Sequence, residues 1–143
     1  MKKLPIHFFY EETHFKAKSV GALRNWIHQS ILAEDQTLQE LNFIFCSDDY
    51  LLKMNQQYLN HDTFTDVITF DHSEQNKAIY GDIFISIDRI KENAKAFNNS
   101  FILELNRVMI HGTLHLLGYK DKKPADKSKM TEKENEYLAQ RQF

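Results

Sequence analysis

The sequence predicts a single α+β domain, residues 1–143, whose small mixed sheet of about four strands packs with about five helices. Three observations carry that expectation. Four short runs rich in β-branched and aromatic residues fall before residue 88, helical spacing takes over from residue 88 onward, and 143 residues with 42% hydrophobic content suffice for one core without requiring a second. Glycine and proline are scarce, four and two, so each one marks a definite break.

Ile6 to Tyr10 is the first strand. Val20 to Ala33 follows as an amphipathic helix, with Leu23, Trp26, Ile27 and Ile31 recurring at three- and four-residue intervals along one stripe. Leu41 to Cys46 is a short apolar strand. Ser47 then serves as an N-cap, and Asp48 and Asp49 complement the positive end of a helix that runs to about Leu59. Thr65 to Phe70, with Val67, Ile68 and Phe70, is a third strand, and Gly81 with Asp82 opens a fourth through Ile83 to Ile87. Asp88 can cap a helix to about Phe97, Asn98, Asn99 and Ser100 break it, and Phe101 to Leu117 form an apolar helix. Thr131 with Glu134 reads as a capping box for a last helix to about Gln140.

Composition excludes several classes of protein. No window approaches the roughly 18 apolar residues of a membrane span. The start Met1-Lys2-Lys3-Leu4-Pro5 lacks the apolar core of a signal peptide, so the expectation is a cytoplasmic protein with no membrane partner. A single cysteine, Cys46, rules out an internal disulfide and any multi-cysteine zinc cluster, which leaves histidine and carboxylate as the ligands for a transition metal. Cys46 itself reads as a core thiol. The net charge of −2 gives no general nucleic-acid signature, although Lys120, Lys122, Lys123, Lys127 and Lys129 cluster in one stretch.

The chemistry concentrates between His111 and Asp121. His111 and His115 stand four apart on a helix, which puts their Cβ atoms about 5 to 6 Å apart on one face, so both imidazoles can reach one ion. Gly118 lets the chain leave the helix through a left-handed cap, and the return brings Asp121 within reach as a third ligand. Three protein ligands leave a fourth position open, as in a catalytic zinc site. Gly112 stands where a zinc peptidase has the glutamate of His-Glu-x-x-His, so a general base must come from elsewhere, and Asp66, Asp82 and Glu104 are the candidates. Each also has a structural reading, as a strand-end cap, a histidine-orienting partner or a solvent-facing group.

The run His111-Gly-Thr-Leu-His-Leu-Leu-Gly-Tyr-Lys-Asp121 resembles the signature of the YbeY family of bacterial rRNA maturation endoribonucleases. Leu59-Asn-His-Asp-Thr-Phe-Thr-Asp-Val-Ile-Thr-Phe70 and Gly81-Asp82-Ile83 resemble two further blocks of that family, in the same order. The resemblance implies an α+β fold with a mixed sheet and one zinc ion held by His111, His115 and residue 121. It also implies metal-assisted hydrolysis of ribosomal RNA during ribosome assembly, with small-subunit components as partners. His61, Thr65, Lys120, Lys122 and Lys123 are then the candidates for contact with the RNA. The alternatives are a non-catalytic RNA-binding assembly factor with a structural metal, and a zinc metallopeptidase.

Two positions depart from the family pattern. Asp121 stands where the family has a third histidine, so two neutral imidazoles and one carboxylate leave a divalent site at a formal +1 in place of +2. That predicts a higher optimum pH and greater tolerance of other divalent ions such as manganese. Leu59 stands where the family has an arginine able to clamp phosphate in two-pronged geometry, so the expectation is that His61 or the lysines after the site supply the cation.

Overall fold

A computed structural model describes residues 4–60, 65–74 and 78–143. Among them are four strands, β1 (Ile6–Glu11), β2 (Leu38–Cys46), β3 (Val67–Asp71) and β4 (Ile79–Ser86), and five helices. The helices are α1 (Val20–Ala33), α2 (Asp48–Leu59), α3 (Ile87–Ala96), α4 (Phe101–Leu116) and α5 (Pro124–Ala139). The sheet has the order β1-β2-β4-β3 and is mixed as expected, with β1, β2 and β4 parallel and β3 antiparallel to β4.

Register decides what each face of the sheet does. Ile6, Phe8 and Tyr10 lie beside Leu41, Phe43 and Phe45, which lie beside Gly81, Ile83 and Ile85. This face packs on the helical layer, where Leu23, Trp26, Ile27 and Ile31 of α1, Ile90 of α3, Leu105 to Leu116 of α4 and Met130, Tyr137 and Leu138 of α5 complete the main core. The alternate residues face α2, where Cys46, Leu51 and Ile68 form a second, smaller cluster with Tyr50, Met54, Phe70 and Phe84. Cys46 is a core thiol as expected, and burial together with the nearby acidic groups pushes its pKa up to about 12, so it is not a nucleophile at neutral pH.

Two glycines set the depth of α4. A Cβ on Gly81 would fall 2.7 Å from the Phe70 carbonyl oxygen and 2.9 Å from a Leu116 methyl, and one on Gly112 would fall 2.8 Å from Ile83 Cγ2. Removing both side chains lets α4 settle directly onto β4. Close packing therefore accounts for a mid-helix glycine that intrinsic propensity disfavours by about 1 kcal/mol.

Several boundaries differ from the sequence expectation. The last helix starts at Pro124, seven residues ahead of Thr131, because proline is preorganised for the first helical position and lacks only an N–H that would be unpaired there anyway. Thr131 and Glu134 therefore sit inside α5 and form no capping box. The cap of α3 is Ser86, whose hydroxyl accepts from Arg89 N, and Asp88 instead accepts from Asp48 N at 2.8 Å at the start of α2. β2 and β4 begin earlier than expected, at Leu38 and Ile79, because parallel pairing between these two residues extends the ladder past the apolar runs. Ile87 begins α3 and does not close β4. β3 is displaced to Val67–Asp71, paired along its whole length with β4.

Candidate metal centre

His111 and His115 project from α4 with their ring planes at 81° and their centroids 4.6 Å apart. Gly118 then takes φ +106°, a conformation open to glycine at no steric cost. Tyr119 N donates to Leu114 O and Gly118 N donates to His115 O, both at 3.0 Å, which is the double hydrogen bond of a Schellman cap. The chain turns back on itself, and Asp121 Oδ2 comes to 3.2 Å from His111 Nε2 and 3.1 Å from His115 Nε2. The two Nε2 atoms are themselves 3.1 Å apart.

Each ring is also held from its far side. His111 Nδ1 lies 2.6 Å from Glu134 Oε2 on α5, and His115 Nδ1 lies 3.0 Å from the Tyr119 carbonyl oxygen. Both partners are acceptors, so each ring donates from Nδ1 and turns its Nε2 toward Asp121. Two ring nitrogens and a carboxylate oxygen thus converge, an arrangement that needs a proton or a metal cation between them. The separations fit one. Ligand atoms of a tetrahedral zinc ion lie roughly 3.3 Å apart, given bonds of about 2.0 to 2.1 Å. Among the described residues, these three make up the group whose ligand atoms come close enough to share an ion.

Glu134 is the residue that the sequence reading missed. It is buried on α5, Arg107 Nη1 donates to its other oxygen at 2.9 Å, and Arg107 Nη2 donates to Asn135 Oδ1. A carboxylate behind a ligand histidine fixes the ring and strengthens it as a donor. Burial works against a charge on His111, but the Glu134 hydrogen bond and the charges of Glu134, Asp121 and Asp66 outweigh it and leave its pKa raised. One signal in the sequence pointed to Glu134. It shares a buried stripe with Met130, Tyr137 and Leu138, where a charged residue needs a partner.

The three candidate bases end up in different places. Asp66 lies just before β3, where its carbonyl accepts from Ser86 N at 2.9 Å, its side chain faces Asn93, and its charge acts on His111. Burial raises its pKa more than the backbone N–H groups of Asp66 and Val67, His111 and Arg89 lower it. Asp82 points to the opposite face of the sheet, accepting from Asn42 Nδ2 at 3.0 Å and meeting His72 Nε2 at 2.9 Å. Glu104 is buried seven residues before His111, roughly 10 Å along the helix axis, and faces Asn99. Thr65 adjoins Asp66, and Lys120, Lys122 and Lys123 are exposed on the segment that carries Asp121. Leu59 is exposed at the end of α2, and His61 lies outside the described residues.

Comparison with known proteins decides the family. The profile of Endoribonuclease YbeY matches residues 8–142. The chain belongs to that family. A relative named Endoribonuclease YbeY from Cytophaga hutchinsonii is 48% identical over 143 residues, covering all of both chains. Another of that name from Flavobacterium psychrophilum is 53% identical over 133 residues, covering 93% of this chain and 94% of its own. The solution structure of TM1509 from Thermotoga maritima superposes with a TM-score of 0.63 at 32% identity, over 92% of this chain and 86% of that one. Membership makes metal-dependent phosphodiester chemistry the frame for the site, and Gly112, packed on Ile83, leaves a peptidase without its base. No helix among the described residues is long and apolar enough to cross a membrane.

Proposed function

We propose that this endoribonuclease hydrolyses ribosomal RNA during rRNA maturation in the cytoplasm, on or beside small-subunit components, with one zinc ion held by His111, His115 and Asp121. The observation that carries the reading is the convergence of two imidazole nitrogens and a carboxylate oxygen, 3.1 to 3.2 Å apart. A divalent ion bound there polarises a phosphoryl oxygen and acidifies a water. The protein supplies the rest. Glu134 and the Tyr119 carbonyl hold the two rings in the ligating tautomer, and Arg107 neutralises Glu134 so that its burial is tolerated.

Asp66 is the base in this reading, because its charge acts on His111 and because its raised pKa makes it a stronger proton acceptor. Lys120, Lys122 and Lys123, with Thr65 and His61, are the substrate contacts, and the lysines supply the positive charge that Leu59 does not. Asp121 in place of a third histidine leaves the site less positive, which favours a higher optimum pH and use of manganese beside zinc.

Zinc-loaded protein incubated with ribosomal RNA and with casein, beside a His111→Ala control, tests the reading. RNA cleavage that disappears in the control is expected. RNA binding without cleavage, or cleavage of casein, overturns it.

A further inference from the structure

Glu34 follows α1 directly, and its side chain is only 12% exposed. Its Oε1 accepts from the Tyr119 hydroxyl at 2.5 Å, and its Oε2 accepts from Lys133 Nζ at 3.1 Å and from the Tyr137 hydroxyl. One carboxylate thereby joins the end of α1, the loop that follows α4, and α5. Nothing in the chemistry derived above uses it, and a buried carboxylate is a costly way merely to tie helices together.

Tyr119 shows what the carboxylate does. This residue is held at both ends, by Glu34 through its phenol and by His115 Nδ1 through its carbonyl oxygen at 3.0 Å, while its N–H closes the Schellman cap on Leu114. Asp121 comes two residues later, between Lys120 and Lys122, both exposed. Tyr119 is therefore the last residue with a buried side-chain anchor before the third metal ligand. If its phenol loses Glu34, a partly buried hydroxyl is left without its charged acceptor and turns toward water, and the carbonyl that orients His115 moves with it. Metal–ligand distances hold within about 0.2 Å, so a small rotation there is enough to break the coordination.

We propose that Glu34 is a positioning residue of the metal centre, fixing through the Tyr119 hydroxyl the loop that orients His115 and presents Asp121. The inference rests on the reading of His111, His115 and Asp121 as metal ligands. Burial pushes the Glu34 pKa up, but the hydrogen bonds from Tyr119, Tyr137 and Lys133 outweigh it and leave the group ionised, able to act as a strong acceptor.

The test compares the two halves of the same carboxylate's contacts. Tyr119→Phe removes the branch leading to the loop between His115 and Asp121, and Tyr137→Phe removes a hydrogen bond to α5 while leaving that loop and the Glu134 contact in place. Zinc affinity by chelator competition is expected to fall about 10- to 100-fold in Tyr119→Phe and in Glu34→Gln, with no further loss in the double variant. The visible absorption of the cobalt-substituted protein is expected to lose its tetrahedral intensity in the same variants. Tyr137→Phe should lower the melting temperature while keeping wild-type affinity and spectrum. Wild-type affinity in Tyr119→Phe overturns the inference, as does an equal loss of affinity in Tyr137→Phe. If Glu34→Gln does not fold, the two tyrosine variants decide alone. Failure of the wild type to bind zinc, or retention of zinc by His111→Ala, sinks the metal reading itself. That outcome is distinct from tyrosine variants that bind like the wild type.

Discussion

His111 with Glu134 and His72 with Asp82 are both imidazole–carboxylate pairs, one on the helical side of the sheet and one on its opposite face. In the first, the carboxylate takes Nδ1 at 2.6 Å, is 8% exposed and is backed by Arg107. In the second, the carboxylate takes Nε2 at 2.9 Å, the side chains are 43% and 27% exposed, and the other carboxylate oxygen goes to the Asn42 amide. The pairing chemistry is nearly the same. What differs is the use of the remaining nitrogen. Glu134 leaves His111 Nε2 free to meet His115 and Asp121, whereas Asp82 occupies the nitrogen of His72 that faces it, and no group of three ligands forms there among the described residues. A carboxylate behind a histidine becomes a metal site only when it holds the ring from the far side and other acceptors meet the near side.

The largest contrast is expected between the two histidines. His111→Ala should abolish stoichiometric zinc and reduce RNA cleavage to background, while His72→Ala, a surface change, should stay within about twofold of wild type in both. Metal analysis beside a cleavage assay reads this directly, and comparable losses in the two variants would break the comparison. The carboxylates come next. Asp66→Asn is expected to lower the cleavage rate about 10²- to 10⁴-fold with zinc content intact, as for loss of a general base. Asp82→Asn should leave cleavage of RNA by the purified protein unchanged, and the reverse order would move the base to the other face.

A smaller effect concerns the packing that brings α4 to the sheet. Gly112→Ala gains about 1 kcal/mol of helix propensity but forces a methyl into Ile83 at a cost of about 1 to 3 kcal/mol, so a net loss of up to about 2 kcal/mol is expected in denaturant unfolding. A stabilised variant would show that α4 can lift without strain.

The smallest effect is in pH. In the metal-free protein the raised pKa of His111 means that its protonated form stabilises the fold fully below about pH 6.5, and that this contribution fades as pH rises through the folded value. Zinc competes with the proton for Nε2, so its stabilisation grows over the same window. Melting temperatures are expected to fall with pH in the presence of a chelator and to rise with pH in the presence of zinc. Parallel curves would refute the link between His111 and the ion.

The candidate ligand set was legible because it is local. His111 and His115 share a helix face, Gly118 is the one residue type suited to the reversal, and Asp121 follows at the distance that reversal requires. The strands and helices were legible from spacing for a similar reason, since a period of two or of 3.6 is a property of neighbouring residues. Boundaries were less so. The start of α5 depends on where the metal loop ends, and the early start of β2 and β4 depends on each strand finding the other. The placement of Asp66, Asp82 and Glu104 relative to His111 could not be read from the chain, because it turns on which face of the sheet or helix each side chain takes. Glu134 was assigned to a cap for the same reason, since only the packing of α5 on α4 shows that it faces His111.

The sequence by itself determined the family, the α+β class and the three converging side chains, because a helical turn followed by a glycine reversal within eleven consecutive residues needs no information from elsewhere. Only the tertiary structure decided how those side chains are held and what stands beside them. Glu134 of α5 meets His111, Asp66 lies just before β3 and Glu34 just after α1, and these placements come from burial and hydrogen-bond direction, which exist only once the helices have packed on the sheet.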